Sequence, residues 1–544
     1  MFADNHSRVL APRIVEEGEL FDRGIRQTLL RLTAFEKWMI VVGLSLATSV
    51  ELGVQFATNI ILPDMQGNVA ASQDEISWVI TVYAAAFLAV LPLTNWFVRR
   101  LGHRNYLVLS LLLYASGALG CFLSSTLPSL LGARALMGVG GGAFLVRALS
   151  ALFRLYSPKE RARALLLFGL LLNASRALMP ILFGVVADAE RWKFAFLAIV
   201  PLPLLAALCL YLFIPRRLEF ESEPPPADLI AIGLLVTGLV AFQVTMSRGE
   251  QDMWLQSPLI RLMLLVSILC LAVFAWWDTR RKNPNPILSL RLLSQEPGLA
   301  SGLVLAVILG TLLTASVFVL PQYLRRIEGY SATQAALFFC CDAVATYLGI
   351  IFGARFTPKL SARAVMLLGL ALFAAANHLL VVQLTPDTPA SNLLLILALH
   401  GSSLGMLLPA VTAILVGHAR PRFLSFDMTI YYFFRGLGGV VGIGATIALL
   451  DVRETIHSSR LLDTANRINP IVHRFIVHLG HVLYAKGLTP GIAEHCAYQL
   501  FRQLAVRQSA LLAFIDVFWC FEVLALVSMV LVLLTSWRRK PGNQ

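Results

Sequence analysis

The sequence predicts an all-α integral membrane protein with about fourteen transmembrane helices. Three observations carry that fold class. The 544 residues are 58% hydrophobic and 14% charged, with mean hydropathy +0.74, where a soluble chain carries about 25% charged residues. The apolar runs are long enough to cross a bilayer core of roughly 30 Å, which takes about 20 residues per helix. Basic residues crowd alternate loops.

Residues 1–36 form a polar tail, expected to be cytoplasmic and not a cleavable signal peptide. Within it Leu20, Phe21, Ile25, Leu29 and Leu32 recur near helical spacing among Arg23, Arg26 and Arg31, the pattern of a short amphipathic helix lying on membrane lipid. Residues 37–214 hold six expected spans: Trp38–Leu62, Ser77–Val98, Tyr106–Leu123, Leu127–Phe153, Ala162–Val186 and Phe194–Ile214. Residues 215–296 supply two more, Leu229–Val244 and Leu259–Trp277, between the linkers "PRRLEFESEPPPAD" and "DTRRKNPNPILSLRLL". Residues 297–537 hold the last six: Leu299–Tyr323, Ala332–Phe352, Val365–Leu384, Leu393–Val416, Phe426–Leu450 and Ala510–Ser536. An outer loop, 451–508, precedes the final span, and 538–544 form a basic tail. The 6 + 2 + 6 division suggests two transporter halves with an inserted pair.

The net charge of +13 raises nucleic acid as a partner, but its distribution argues against one. Arg99, Arg100 and Arg104, the group Arg154, Lys159, Arg161 and Arg163, and Arg355, Lys359 and Arg363 lie in alternate loops, whereas "DMQGNVAASQDE", "SSTLPS" and "TPDTPAS" have no basic residue. This positive-inside asymmetry places both termini in the cytoplasm. Arg325 and Arg326 break the rule on the outer side. Seven cysteines fall mostly in apolar spans and read as small packing residues. The spacing of His473, His478, His481 and His495 in the outer loop defines no metal site. "GVGGGA" and "GLGGVVGIGA" lie inside spans and read as close helix packing, not phosphate loops. With no ATP-binding loop found, an ion gradient is the expected energy source, and no cofactor is expected.

Several strings resemble the major facilitator superfamily, in its fourteen-helix drug:proton antiporter branch. "NIILP" resembles the end of the family's first helix. "NWFVRRLGHRN" resembles the loop after the second, with Arg100, Gly102 and Arg104 in register. "RALMGVGGG" resembles the fourth-helix pattern through Arg134, Gly138 and Gly142, and "ALMPILFGVVAD" the fifth-helix antiporter motif through Pro180 and Gly184. "LPQYLRRIEGYSATQAAL" is the most specific match, supported by "SRGEQDMW" and by "YYFFRGLGG" with Tyr432 and Arg435. The resemblance implies a major facilitator fold, export driven by proton motive force, small amphipathic cargo, and a bacterial inner membrane. In a double-membrane envelope it also implies a periplasmic adaptor and an outer-membrane channel as partners. The chain departs from the pattern at Val54, where the branch has an acid, at Met137 and Met179, and at Arg99.

A substitute acid lies one turn away. In "VELGVQFATNIILPD", Glu51 shares a helix face with Val54, and Gln55, Thr58 and Asn59 continue a polar stripe from it. Such a stripe is costly against lipid, so it should face a cavity or another helix. Glu51 reads either as a proton site or as half of a permanent ion pair. Arg134, Arg147 and Arg176 are the expected counter-charges; Arg147 and Arg176 read equally as forks for an anionic cargo group. Asp342 is a second intramembrane acid, open to a proton-coupling or a helix-pairing role, and His378 and His400 to a proton or a packing role. The leading function is multidrug export by proton antiport. The alternatives are export of one metabolite, organic acid or lipid-like compound, and a scaffold or sensor without coupling. No catalytic motif points to an enzyme.

Overall fold

The computed structural model describes residues 32–69, 71–156, 158–215, 228–280, 287–288, 297–418, 424–464 and 469–534. The amphipathic segment expected in the N-terminal tail and the basic C-terminal tail lie outside the described residues. Among those described, every regular element is helical, and 14 helical stretches are long and apolar enough to cross a membrane.

The first six spans comprise α1 (Ala34–Asn68), a single turn α2 (Gln73–Ile76), then α3 and α4 (Trp78–Val90 and Thr94–Leu101), α5 (His103–Leu123), α6 and α7 (Leu127–Gly141 and Phe144–Leu155), α8 (Pro158–Asp188), and α9 and α10 (Trp192–Ile199 and Pro201–Phe213). The inserted pair is α11 (Leu229–Arg248) and α12 (Pro258–Thr279). The last group is α13 (Pro297–Arg326), α14 (Ala332–Leu360), α15 (Ala362–Gln383), α16 (Ala390–His418), α17 (Leu424–Thr464), the short α18 (Pro470–Ala485) and α19 (Pro490–Leu534).

Local chemistry sets the boundaries. Thr33 and Glu36 cap α1 reciprocally, the Thr33 amide donating to the Glu36 carboxylate at 2.8 Å and the Glu36 amide to Oγ1 of Thr33 at 3.2 Å. Gly102 both ends α4 and begins α5 at φ +83°, a left-handed conformation that glycine adopts without a Cβ clash. Its neighbour Arg104 is buried and lies over the Tyr211 ring at 4.5 Å, while Arg100 stays exposed beside Trp96.

The same pairings occur in both six-span groups. α1 packs on α8 as α13 packs on α17; α3 packs on α6 as α14 packs on α16; α5 packs on α10 as α15 packs on α19. Two seams join the halves: α8 against α14, and the α3–α4 region against α17. The inserted α11 lies against both α3 and α17, so the extra pair flanks the second seam. The described parts of the 451–508 segment are helical, continuing α17 and leading into α19, with α18 packed on α19. Ile471, Phe475 and Tyr484 of α18 are exposed.

Close approach is bought with glycine. Gly401 packs on the Asp342 backbone, Gly405 on Thr346 and Ile350, and Gly349 on Ser402, so α14 and α16 touch main chain to main chain. Gly405→Ala would overlap the Thr346 carbonyl and should cost about 1–3 kcal/mol, whereas Gly132→Ala enters open space. The expected result is a melting midpoint several degrees lower in detergent for Gly405→Ala, with Gly132→Ala unchanged.

Candidate functional site

Glu51 lies midway along α1 and is 3% exposed. The Tyr83 hydroxyl on α3 donates to its Oε1 at 2.6 Å. Gly141 on α6 leaves the space that Glu51, Tyr83 and Tyr114 share: a Cβ there would stand 3.0 Å from Glu51 Cγ and 3.2 Å from the Tyr83 oxygen. The Tyr114 hydroxyl is buried with no hydrogen-bond partner. Arg134 sits in the same cluster, its guanidinium 4.5 Å above the Tyr83 ring centroid and its Nε donating to the Val79 carbonyl at 3.4 Å. Glu51 and Arg134 form no direct ion pair among the described residues. Gly138 and Gly142, on the same turn, press against the backbone of α3 at Tyr83 and Phe87, which brings the phenol within reach of the acid.

The other two arginines go elsewhere, which corrects their expected pairing with Glu51. Arg176 donates to Asp342 Oδ2 at 3.2 Å across the α8–α14 seam and lies 5.1 Å from the Phe56 ring centroid. Asp342 accepts or shares a second hydrogen bond with His400 Nδ1 at 2.8 Å. Arg147 donates to Oδ1 of Asn95, whose amide donates to the Thr429 hydroxyl at 3.0 Å across the second seam. Its guanidinium is therefore part of a polar link between the halves. Helix packing explains the reassignment: Ser175 donates to the Ser49 carbonyl and Met179 meets Gly53, so α8 lies on a different face of α1 from the one that carries Glu51.

The polar stripe is also less uniform than its spacing suggests. Thr58 is buried and turns its hydroxyl back to the Val54 carbonyl at 2.8 Å, so its donor is used within its own helix. Gln55 and Asn59 are half-buried. In the other half, Arg435 is half-buried above the Tyr432 ring at 5.1 Å, and Gly310 lets its backbone approach α13.

One end of the bundle, which carries the long 451–508 segment, is tied by contacts whose partners sequence reasoning did not identify. Arg325 donates to Asp64 at 3.0 Å and to the Ile60 carbonyl, near Pro63, which lacks an amide for the helix ladder. Arg326 pairs with Glu454 at 2.7 Å. These pairs account for the two arginines that broke the charge rule. Asp188, at the end of α8, accepts from the amides of Ala332 and Thr333 and from the Ser331 hydroxyl at 3.1 Å, capping α14 of the opposite half. Gly184 allows this approach, since a Cβ there would stand 2.9 Å from Thr333 N, and the buried Pro180 lies one turn before it. Asp64 and Asp188 stand at helix ends in the sequence, but the residues they bind lie far along the chain. No group of three or more His, Cys, Asp or Glu side chains arranged to hold a metal occurs among the described residues.

Comparison with known proteins gives a consistent answer. Residues 44–443 match the Major Facilitator Superfamily. The probable multidrug resistance protein EmrY of Escherichia coli K12 is 28% identical over 448 residues, 82% of this chain and 86% of its own. The multidrug export protein EmrB of the same strain is 25% identical over 504 residues, 92% of this chain and 95% of its own. A bacterial homologue of the human lysosomal transporter Spinster, solved inward-facing and unoccupied, shares the fold with a TM-score of 0.56 at 14% identity, covering 94% of this chain and 100% of that one. With fourteen membrane-length helices and Emr-type multidrug proteins as relatives across most of its length, the chain belongs to the major facilitator superfamily and is a multi-pass membrane transporter, not an enzyme.

Proposed function

We propose that this transporter exports amphipathic small molecules by proton antiport, its two halves rocking about a site near Glu51. The observation that carries the reading is the environment of Glu51: a carboxylate deep in a span, dry, held by one phenol and lacking a direct cation. A permanent lock would call for a paired guanidinium, because a buried anion without one costs several kcal/mol. A proton removes that cost, and its departure restores it. Gain and loss of a proton at Glu51 therefore changes the energy of the conformation that buries it. Arg134 stays charged through the cycle and biases that balance through the Tyr83 ring.

Apolar walls with a few polar points suit cargo of varied shape, and Phe56, Phe87 and Phe434 are half-buried. The multidrug names of EmrY and EmrB support the same substrate class. Arg147 and Arg176 hold side-chain oxygen acceptors on the protein, whereas the half-buried Arg435 lies against Tyr432 and pairs with no carboxylate among the described residues, which makes it the better candidate for an anionic cargo group. The charge pattern supports a bacterial inner membrane with both termini in the cytoplasm. In that orientation the exposed α18 face points outward and offers a surface to a periplasmic adaptor leading to an outer-membrane channel.

Proteoliposomes under an imposed pH gradient test the coupling, with ethidium and deoxycholate as cationic and anionic probes. Glu51→Gln should lower gradient-driven uptake by about tenfold or more while folding is kept; unchanged uptake would remove Glu51 from the mechanism. The outer gate has its own test. Asp64→Ala removes the carboxylate partner of Arg325, so a cysteine introduced at Asn59 should react several-fold faster with a membrane-impermeant maleimide, and an unaltered rate would mean that the pair does not hold that end shut.

A further inference from the structure

The α8–α14 seam contains a second cluster of ionisable groups, which shares no hydrogen-bond partner with Glu51 among the described residues. Asp342 is fully buried and binds Arg176 of one half through Oδ2 and His400 of its own half through Oδ1. His400 is 1% exposed, its ring lies 5.4 Å from that of Phe373 on α15, and its Nε2 is buried with no hydrogen-bond partner among the described residues. The charged or titratable groups against Asp342 among the described residues are Arg176 from α8, His400 from α16 and Cys341 on its own helix; from α15 the Phe373 ring faces the histidine.

We propose that Asp342 and His400 form a second proton-binding site in which Arg176 and the proton exchange places. The proposal rests on the rocking motion invoked above. In the closed seam, Arg176 neutralises Asp342 and His400 is a neutral imidazole donating from Nδ1, with its Nε2 lone pair vacant. When α8 withdraws from α14 it takes Arg176 with it. Asp342 is then a buried anion with one neutral donor, a state that costs several kcal/mol. A proton from water entering the parted seam binds Nε2, and the resulting imidazolium replaces the guanidinium as the counter-charge. The balance is simple: one N–H bond forms, one ion pair breaks, and one ion pair within α14 and α16 takes its place. Closure returns Arg176 and expels the proton. Gly401, packed on the Asp342 backbone, keeps the pair together in its own half while the other half moves.

The site therefore belongs to the last six spans and Glu51 to the first six, so one cycle carries two protons, each entering through a different half. The role assigned to His400 is that of proton acceptor, and that of Arg176 a displaceable cation; a purely structural triad would show no titration.

Infrared difference spectroscopy on the full chain in lipid, labelled with ¹³C-histidine and titrated between acid and alkaline pH, reads the protonation without any cargo. The wild type should show a histidine component that His400→Gln abolishes and Arg176→Gln displaces in midpoint by more than one pH unit, about tenfold in proton affinity. Asp342→Asn should displace it too. Should His400→Gln fold poorly, the Arg176→Gln shift carries the test, because that variant leaves the Asp342–His400 pair whole. The carboxyl region of the same spectra reports Glu51 through Glu51→Gln. Spectra identical in the histidine region for wild type, Arg176→Gln and Asp342→Asn would overturn the second site, even with the Glu51 band present. A missing Glu51 band with the histidine component intact would instead sink the first-half reading alone.

Discussion

Glu51 and Asp342 face the same demand: an acid inside the bilayer must hold a cation or a proton, since a bare charge there costs several kcal/mol. The chain answers it differently at the two positions. Asp342 has a guanidinium, but one that belongs to the opposite half. Glu51 has a phenol and no direct cation. The Asp342 arrangement spans the two halves and loses its cation if they part, whereas Glu51 and Tyr83 both belong to the first six spans. Arg134 over the Tyr83 ring and Gly141 shape the surroundings of Glu51, as Gly401 against its backbone does for Asp342.

The seams convert that local chemistry into a relation between the halves. At the end carrying the long outer segment, Asp64 with Arg325 and Asp188 with the start of α14 hold the halves together through exchangeable hydrogen bonds and ion pairs. Towards the other end, Arg147, Asn95 and Thr429 form a chain across the second seam. These links are polar and partly exposed, whereas the glycine-mediated backbone contacts lie mostly within each half, Gly184 against α14 being one that crosses a seam. The contrast favours movement of the halves as units over deformation inside either one, since close-packed elements shift between discrete arrangements more readily than they compress.

Much of this was legible in the sequence, and the reason is solvent. A bilayer fixes helix length, so an apolar ruler recovers all fourteen spans; the helices exceed it where α1, α17 and α19 extend beyond the apolar core. The strings around Gly102, Gly138, Gly142 and Gly184 were recognisable because their backbone geometry tolerates no side chain. Partners were not legible. Arg176 and Asp342 are 166 residues apart, and Asp64 and Arg325 are 261 apart. Charge alone cannot say which of three arginines meets which of two acids, and the sequence does not show that α8, which carries Arg176, packs on the face of α1 away from Glu51. Gly141 was visible only as one of a run, though it shapes the pocket around the acid. His400 stood out as an intramembrane histidine, but its value depended on Asp342 lying across from it on α14.

The central claim is that cargo moves outward only as protons move inward, and proton counterflow measures this directly. Vesicles containing the protein and trapped pyranine are loaded with ethidium or deoxycholate and diluted into probe-free medium at equal pH. The account predicts that efflux of the probe acidifies the lumen, at a rate that follows the efflux and is absent from protein-free vesicles. Protein-dependent efflux with an unchanging lumenal pH would contradict it.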